Sequence, residues 1–278
     1  MLSYRHSYHA GNFADVIKHV VIIKILEHLI KKDAAFDYID THAGAGLYNL
    51  RSEHAEKLQE YVNGIARLKR DNWPELACYF DILDKYNKDG SLIFYPGSPL
   101  IAMHFLRSKD RAWLFELHST DIDLLRKNTK NNKYVTVSYD DGYKGLLALV
   151  PPLSRRALVL LDPSYELKTD YAQVFNTVSR AYKKFPTGIY AIWYPVVDKR
   201  RTEQLKNRFI KSGIKKIHCY ELGIYPATSH KGMTAAGMIV INSPWKLMEE
   251  MKTLLPRLHE TLTQSGNTYY QCDVLVGE

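Results

Sequence analysis

Asp162-Pro163-Ser164-Tyr165 sets a carboxylate, a carbonyl on a proline-fixed backbone and an aromatic ring side by side. Those three groups can grip a flat base that bears an exocyclic amine. Adenine N6 is a poor nucleophile because its lone pair is delocalised into the ring. If the Asp162 carboxylate and the Pro163 carbonyl both accept hydrogen bonds from that amine, they favour a pyramidal nitrogen and free the lone pair for in-line attack on a sulfonium methyl. Tyr165 would stack on a base drawn out of its own stack. The rival reading is a type I turn with proline at its second position, and for an isolated Asp-Pro that reading is the stronger one. The neighbouring elements have to decide.

The motif ends residues 157–161, an apolar run that reads as a buried strand halted by proline. Strand-like runs also occupy residues 36–40, 113–116, 134–138, 188–193, 216–220 and 237–242. Helical patterns cover residues 12–32, 120–130, 170–184 and 200–212. Such alternation predicts an α/β fold, a mostly parallel sheet with helices on both faces. The ends of successive strands then carry the chemistry. Asp40-Thr-His-Ala-Gly44-Ala-Gly46 is a small-residue turn that lets backbone approach a ligand. An acid that holds ribose hydroxyls should follow about twenty residues later. The acid at the next strand end, Glu116, comes much later, and removing an inserted helical stretch restores the spacing. The third strand ends in Asp140-Asp141-Gly142, where a carboxylate can bond the adenine amine of a nucleoside cofactor, although Asp-Gly is also a common turn. With Asp162, four strand ends agree on a nucleoside cofactor beside an amine acceptor, which outweighs the plain turn.

The inserted stretch is residues 51–90, a small helical subdomain within a Rossmann-like domain of residues 1–50 and 91–278. Leu58, Tyr61, Val62, Ile65 and Leu68 recur there at helical spacing. Its seven basic and eight acidic side chains make it no electrostatic landing pad. The net charge of +8 lies elsewhere: residues 180–216 hold eleven basic residues against Asp198 and Glu203. Phosphate backbones select such a concentration, and a solvated helix face also produces one. Cys78, Cys219 and Cys272 are far apart and form neither a disulfide framework nor a zinc site. The start of the chain lacks the apolar core of a signal peptide, and charges interrupt residues 16–30, so a cytoplasmic protein without a membrane span is expected. His6, His9 and His19 show no metal-ligand spacing, so no metal is expected. The aromatic, basic and amide groups of residues 4–12 suit a tail that covers a cofactor or guides RNA.

Residues 2–12, 40–46, 95–102 (Tyr-Pro-Gly-Ser-Pro-Leu-Ile-Ala) and 193–197 (Trp-Tyr-Pro-Val-Val) look like signatures of one family. From end to end the chain resembles the RlmJ family, bacterial methyltransferases that place a methyl on adenine N6 of 23S ribosomal RNA. The resemblance implies a Rossmann-like class I methyltransferase fold, S-adenosylmethionine as donor, and a monomer acting on 23S ribosomal RNA. It implies that His19, His42, Ser98, Glu116, Asp141 and Gly142 contact the cofactor. Asp162 becomes the catalytic acceptor, also beside the cofactor, with Pro163 and Tyr165 completing the catalytic loop. Tyr4, His6, Lys18 and Tyr165 face the substrate. One departure is Ser164, where the family has a second proline, so the loop loses one fixed φ. A DNA adenine methyltransferase and a non-catalytic RNA-binding assembly factor on the same fold remain alternatives. A nicotinamide-dependent dehydrogenase would share the glycine turn but has no use for Asp-Pro-Ser-Tyr.

Overall fold

Residues 157–161 face two cores at once. Leu158 and Leu160 point to one and Val159 and Leu161 to the other, and all are buried. Such a strand needs helices on both faces. The computed structural model describes residues 5–226, 232–263 and 266–278. Its strands are β1 (Asp37–Asp40), β2 (Leu47–Asn49), β3 (Phe94–Pro96), β4 (Arg111–Phe115), β5 (Val135–Ser138), β6 (Ala157–Leu161), β7 (Ile189–Val196), β8 (Ile217–Gly223), β9 (Ala235–Ile241) and β10 (Tyr269–Val276). Its α-helices are α1 (Phe13–Ile30), α2 (Glu53–Leu58), α3 (Ala77–Tyr86), α4 (Ser98–Phe105), α5 (Ser119–Thr129), α6 (Gly142–Leu149), α7 (Asp170–Lys184), α8 (Lys199–Ile210) and α9 (Leu247–Leu262).

Eight strands form one sheet in the order β10-β8-β9-β7-β6-β1-β4-β5. Pairing is parallel from β5 to β7 and antiparallel from β7 through β9 and β8 to β10. This is a Rossmann-like α/β sheet with a parallel half and an antiparallel half. From β1 the chain runs to β4 and β5 on one side and to β6 and β7 on the other. The crevice between the carboxyl ends of β1 and β6 is therefore the topological switch point, where open sheets bind ligands.

Helix α1 begins where Asn12 Oδ1 accepts the Asp15 amide at 3.0 Å. It is apolar nearly all round, and such a helix has to be buried. It packs on β7 and β9 beneath α3, α4 and α9, whereas α6, α7 and α8 contribute to the opposite core. Between β2 and β3, residues 51–90 form α2, α3 and four short 3-10 turns rather than one periodic helix. Helix α2 stops at Gln59, which takes a left-handed φ of 51°, and Leu58 and Val62 stay exposed. Ile65, Leu68, Trp73 and Leu76 nevertheless join the main core. The insertion thus leans on the sheet domain. It also grips the segment ahead of α1: the Ile65 amide donates to Gly11 O at 2.8 Å, and Asn12 Nδ2 donates to Glu60 at 2.9 Å.

Candidate active site

A cavity of about 580 Å3 opens at the switch point, lined by the carboxyl ends of β1, β4, β5, β6 and β7 and by the first turns of α1. Tyr4 lies outside the described residues. The other sequence-predicted residues all line this cavity: His6, Lys18, His19, His42, Ser98, Glu116, Asp141, Gly142, Asp162, Pro163 and Tyr165. Residues from positions 6 to 165 meet there because parallel strands place their ends at one edge.

On the β1–β4–β5 side, backbone donors are clamped by carboxylates. Glu116 Oε2 accepts the Gly44 amide at 2.8 Å and Oε1 accepts the His118 amide at 2.6 Å, which ties the small-residue turn to the end of β4. Burial raises the Glu116 pKa. Asp141 caps α6 by accepting the Tyr143 amide at 2.9 Å. Gly142 packs so closely that a Cβ there would stand 2.0 Å from Thr41 O. Ser98 donates to Asp40 at 2.7 Å, and Tyr38 donates to the same oxygen at 2.8 Å. Burial lifts Asp40 to about 6. The two histidines behave oppositely: burial lowers His42 to about 4 and His19 to about 3, so both are uncharged at neutral pH.

On the β6–β7 side the centre is an ionic chain. Lys18 Nζ donates to Asp162 Oδ2 at 2.6 Å and lies 2.7 Å from Asp15 Oδ1, and His6 Nε2 donates to Asp15 Oδ2 at 2.9 Å. Burial alone would lower the Lys18 pKa, but the two carboxylates outweigh it and raise it. Lys18 therefore spends its charge inside the protein, on the motif carboxylate, and it is buried. Asp162 Oδ1 makes no hydrogen bond among the described residues, so one oxygen is fixed and the other is open. Tyr165 adopts a left-handed φ of 54°, a conformation that costs an L-residue about 1–2 kcal/mol. Its hydroxyl donates to Trp193 O at 2.7 Å, and its ring packs on Tyr171 and Trp193. These contacts fix the loop that carries Ser164.

Asp15 and Tyr143 line the same cavity although no motif singles them out, and Asp40 and Trp193, which open two of the motifs, have no role of their own assigned there. Asp15 stands three residues before Lys18, a helical spacing that brings the pair together. For the Tyr143 phenol no local signal exists. Among the described residues five buried polar side-chain atoms lack a hydrogen-bond partner, and four of them, His19 Nε2, His118 Nδ1, Tyr143 Oη and Trp193 Nε1, belong to residues lining the cavity. Each unmet group costs about 1–3 kcal/mol, which a polar ligand can recover. No group of three or more metal-ligating side chains occurs among the described residues.

Residues 33–274 match the family described as Ribosomal RNA large subunit methyltransferase D, RlmJ. The Ribosomal RNA large subunit methyltransferase J of Escherichia coli (strain K12) is 48% identical over the full length of both chains. That of Haemophilus influenzae is 49% identical over 96% of each chain. Among solved structures, protein LPL1258 of Legionella pneumophila superposes with a TM-score of 0.89 at 39% identity, covering 96% of this chain and 98% of that one.

Proposed function

Because the chain belongs to the RlmJ family, we propose that it methylates the N6 amine of an adenine in 23S ribosomal RNA, with S-adenosylmethionine as donor. The observation that carries the reading is Asp162: Lys18 holds one oxygen of its carboxylate and the other is open in the cavity. An amine that donates to that open oxygen and to the Pro163 carbonyl is oriented by two acceptors, which favours a pyramidal nitrogen with an available lone pair. Lys18 and Asp15 fix the rotamer of Asp162 so that no reorganisation is needed when the base arrives. Tyr165 and Trp193 offer ring surface against the base.

The β1–β4–β5 side fits the cofactor. Glu116 and Asp141 stand at successive strand ends, where ribose hydroxyls and an adenine amine can reach them. Eight carboxylates line the cavity against Lys18 and Arg201, and the neutral imidazoles of His19 and His42 add no opposing charge. A sulfonium cation suits such a lining. When bound, S-adenosylmethionine supplies the electrophilic methyl that the freed lone pair attacks.

Asp162→Ala tests the reading. It is expected to abolish methyl transfer to unmodified 23S ribosomal RNA while circular dichroism and calorimetric binding of S-adenosylhomocysteine persist. Full activity in that variant overturns it. Parallel assays on adenine-containing DNA decide between the two nucleic acids.

A further inference from the structure

Two large apolar side chains stand in solvent at the mouth of the cavity. Leu167, in the loop between β6 and α7, is 63% exposed, and Val197, the first residue after β7, is 61% exposed. Both line the cavity on the side of Asp162. Neither sits on loose backbone. The Leu167 amide donates to Asp170 Oδ2 at 3.1 Å while the Asp170 amide donates to Leu167 O at 3.0 Å, a closed turn. Val196 O, next to Val197, accepts both the amide and the hydroxyl of Thr234. Two unburied apolar side chains on held backbone, both lining one cavity, offer a surface for a ligand that enters it.

The charges around the pair indicate what covers it. Lys168 follows Leu167, and Lys199 and Arg200 follow Val197; all three are exposed and make no ion pair among the described residues. Of the nearby carboxylates, Asp170 and Asp198 are engaged in turn and capping bonds, Asp198 accepting the Arg200 amide at 3.0 Å and pairing with Arg201 at 3.2 Å, and Glu166, exposed beside Leu167, also lines the cavity. Apolar side chains flanked by free cations match a nucleic acid with one base missing from its stack. Proteins that unstack bases insert Leu or Ile between them and hold the flanking phosphates with Lys and Arg.

We propose that Leu167 and Val197 form a wedge that fills the gap left in an RNA stack when the target base enters the cavity, with Lys168, Lys199 and Arg200 on the flanking phosphates. The inference rests on the reading of the cavity as an adenine site in RNA. It adds the means by which the base is kept out of its helix. Extraction costs least from an unpaired strand and more from a paired one. The wedge therefore matters in proportion to the stacking it replaces.

The test uses one target sequence in two RNAs, a hairpin with the adenine paired and an unstructured strand. Leu167→Ser combined with Val197→Ser is expected to lower the ratio of kcat/KM on the hairpin to that on the single strand by about tenfold. Equal effects on both RNAs, or no effect, overturn the wedge. In a second arm, 2-aminopurine replaces the target adenine in the hairpin. Its fluorescence is expected to rise on adding wild-type protein and to stay low with the double variant, and equal responses overturn the proposal. Should the wild type methylate neither RNA, the functional reading fails, and the fluorescence arm still decides the wedge. Lys199→Ala with Arg200→Ala is expected to weaken binding of both RNAs alike and to reduce the salt slope by about 1.5. An unchanged slope removes the phosphate contacts from the proposal.

Discussion

At the scale of single residues the most consequential group is Lys18, because it pairs with Asp15 and Asp162 at once in a buried place. Lys18→Met leaves Asp15 with His6 alone and Asp162 with no basic partner among the described residues. Removing one partner of a buried ionic group costs about 3–5 kcal/mol, so urea denaturation should show a loss of that order. Methyl transfer should also fall, by about a hundredfold or more, since Asp162 loses its fixed orientation. Asp15→Asn added to Lys18→Met removes one uncompensated charge, and stability should largely return while transfer does not. Recovery of both together would mean that Lys18 acts only on the fold. The sequence shows Asp15 and Lys18 at helical spacing and Asp162 at a strand end. What it cannot show is that α1 packs on β7 and β9 with its first turns beside the loop that ends β6, and the pairing across 144 residues follows from that packing.

Among elements, the legible ones carry strong periodicity or an uninterrupted apolar run. β1, β4, β5, β6 and α7 stand where their residues predict, and so do the strand ends that bear Glu116, Asp141 and Asp162. The runs at 216–220 and 237–242 are also strands, but strand direction leaves no mark on side-chain alternation, so the antiparallel half of the sheet was hidden. β10 mixes Gln271 and Asp273 with its apolar residues because it is an edge. Helices α4 and α6, at eight residues each, are too short for a periodic signature. The insertion reads as helical spacing, yet Gln59 and Gly64 break it into turns whose contacts face the segment ahead of α1. That segment brings His6 to Asp15, which gives the insertion a consequence for the site. A Cβ on Gly64 would stand 2.1 Å from Gly11 O, a backbone atom that cannot swing aside. Gly64→Ala should cost about 1–3 kcal/mol as overpacking does. It should also reduce methyl transfer more than a surface change of equal destabilisation, read by kcat at a temperature where both variants are folded.

Over the whole molecule, topology redistributes charge that the sequence shows as one block. Each helix of a parallel βαβ unit starts at the ligand edge of the sheet and runs away from it. Lys199, Arg200 and Arg201 therefore stand at the rim, whereas Lys183, Lys184 and Lys211 stand at the far ends of their helices. Lys206 is buried on Glu221 at 2.8 Å and contributes nothing to the surface. The buried titrating groups have a global effect of their own, on stability against pH. His19 titrates at about 3 and His42 at about 4 when folded, against 6.5 when unfolded, because burial disfavours their cations. Below pH 6.5 the unfolded chain binds protons that the folded one refuses, so these two groups cost stability as pH falls. Asp40, lifted by burial to about 6 from 3.8, works the other way between those values, since the folded state binds its proton first. Of these three groups, two cost stability in acid and one adds it, so together they leave a loss. His19→Gln deletes one of the two, and the slope of unfolding free energy between pH 6 and pH 4 should flatten by up to about 1.4 kcal/mol per pH unit. Urea denaturation at pH 6, 5 and 4 measures it. Identical slopes for wild type and variant would show that His19 takes up its proton in the folded state as readily as in the unfolded one, contrary to its burial against Tyr95.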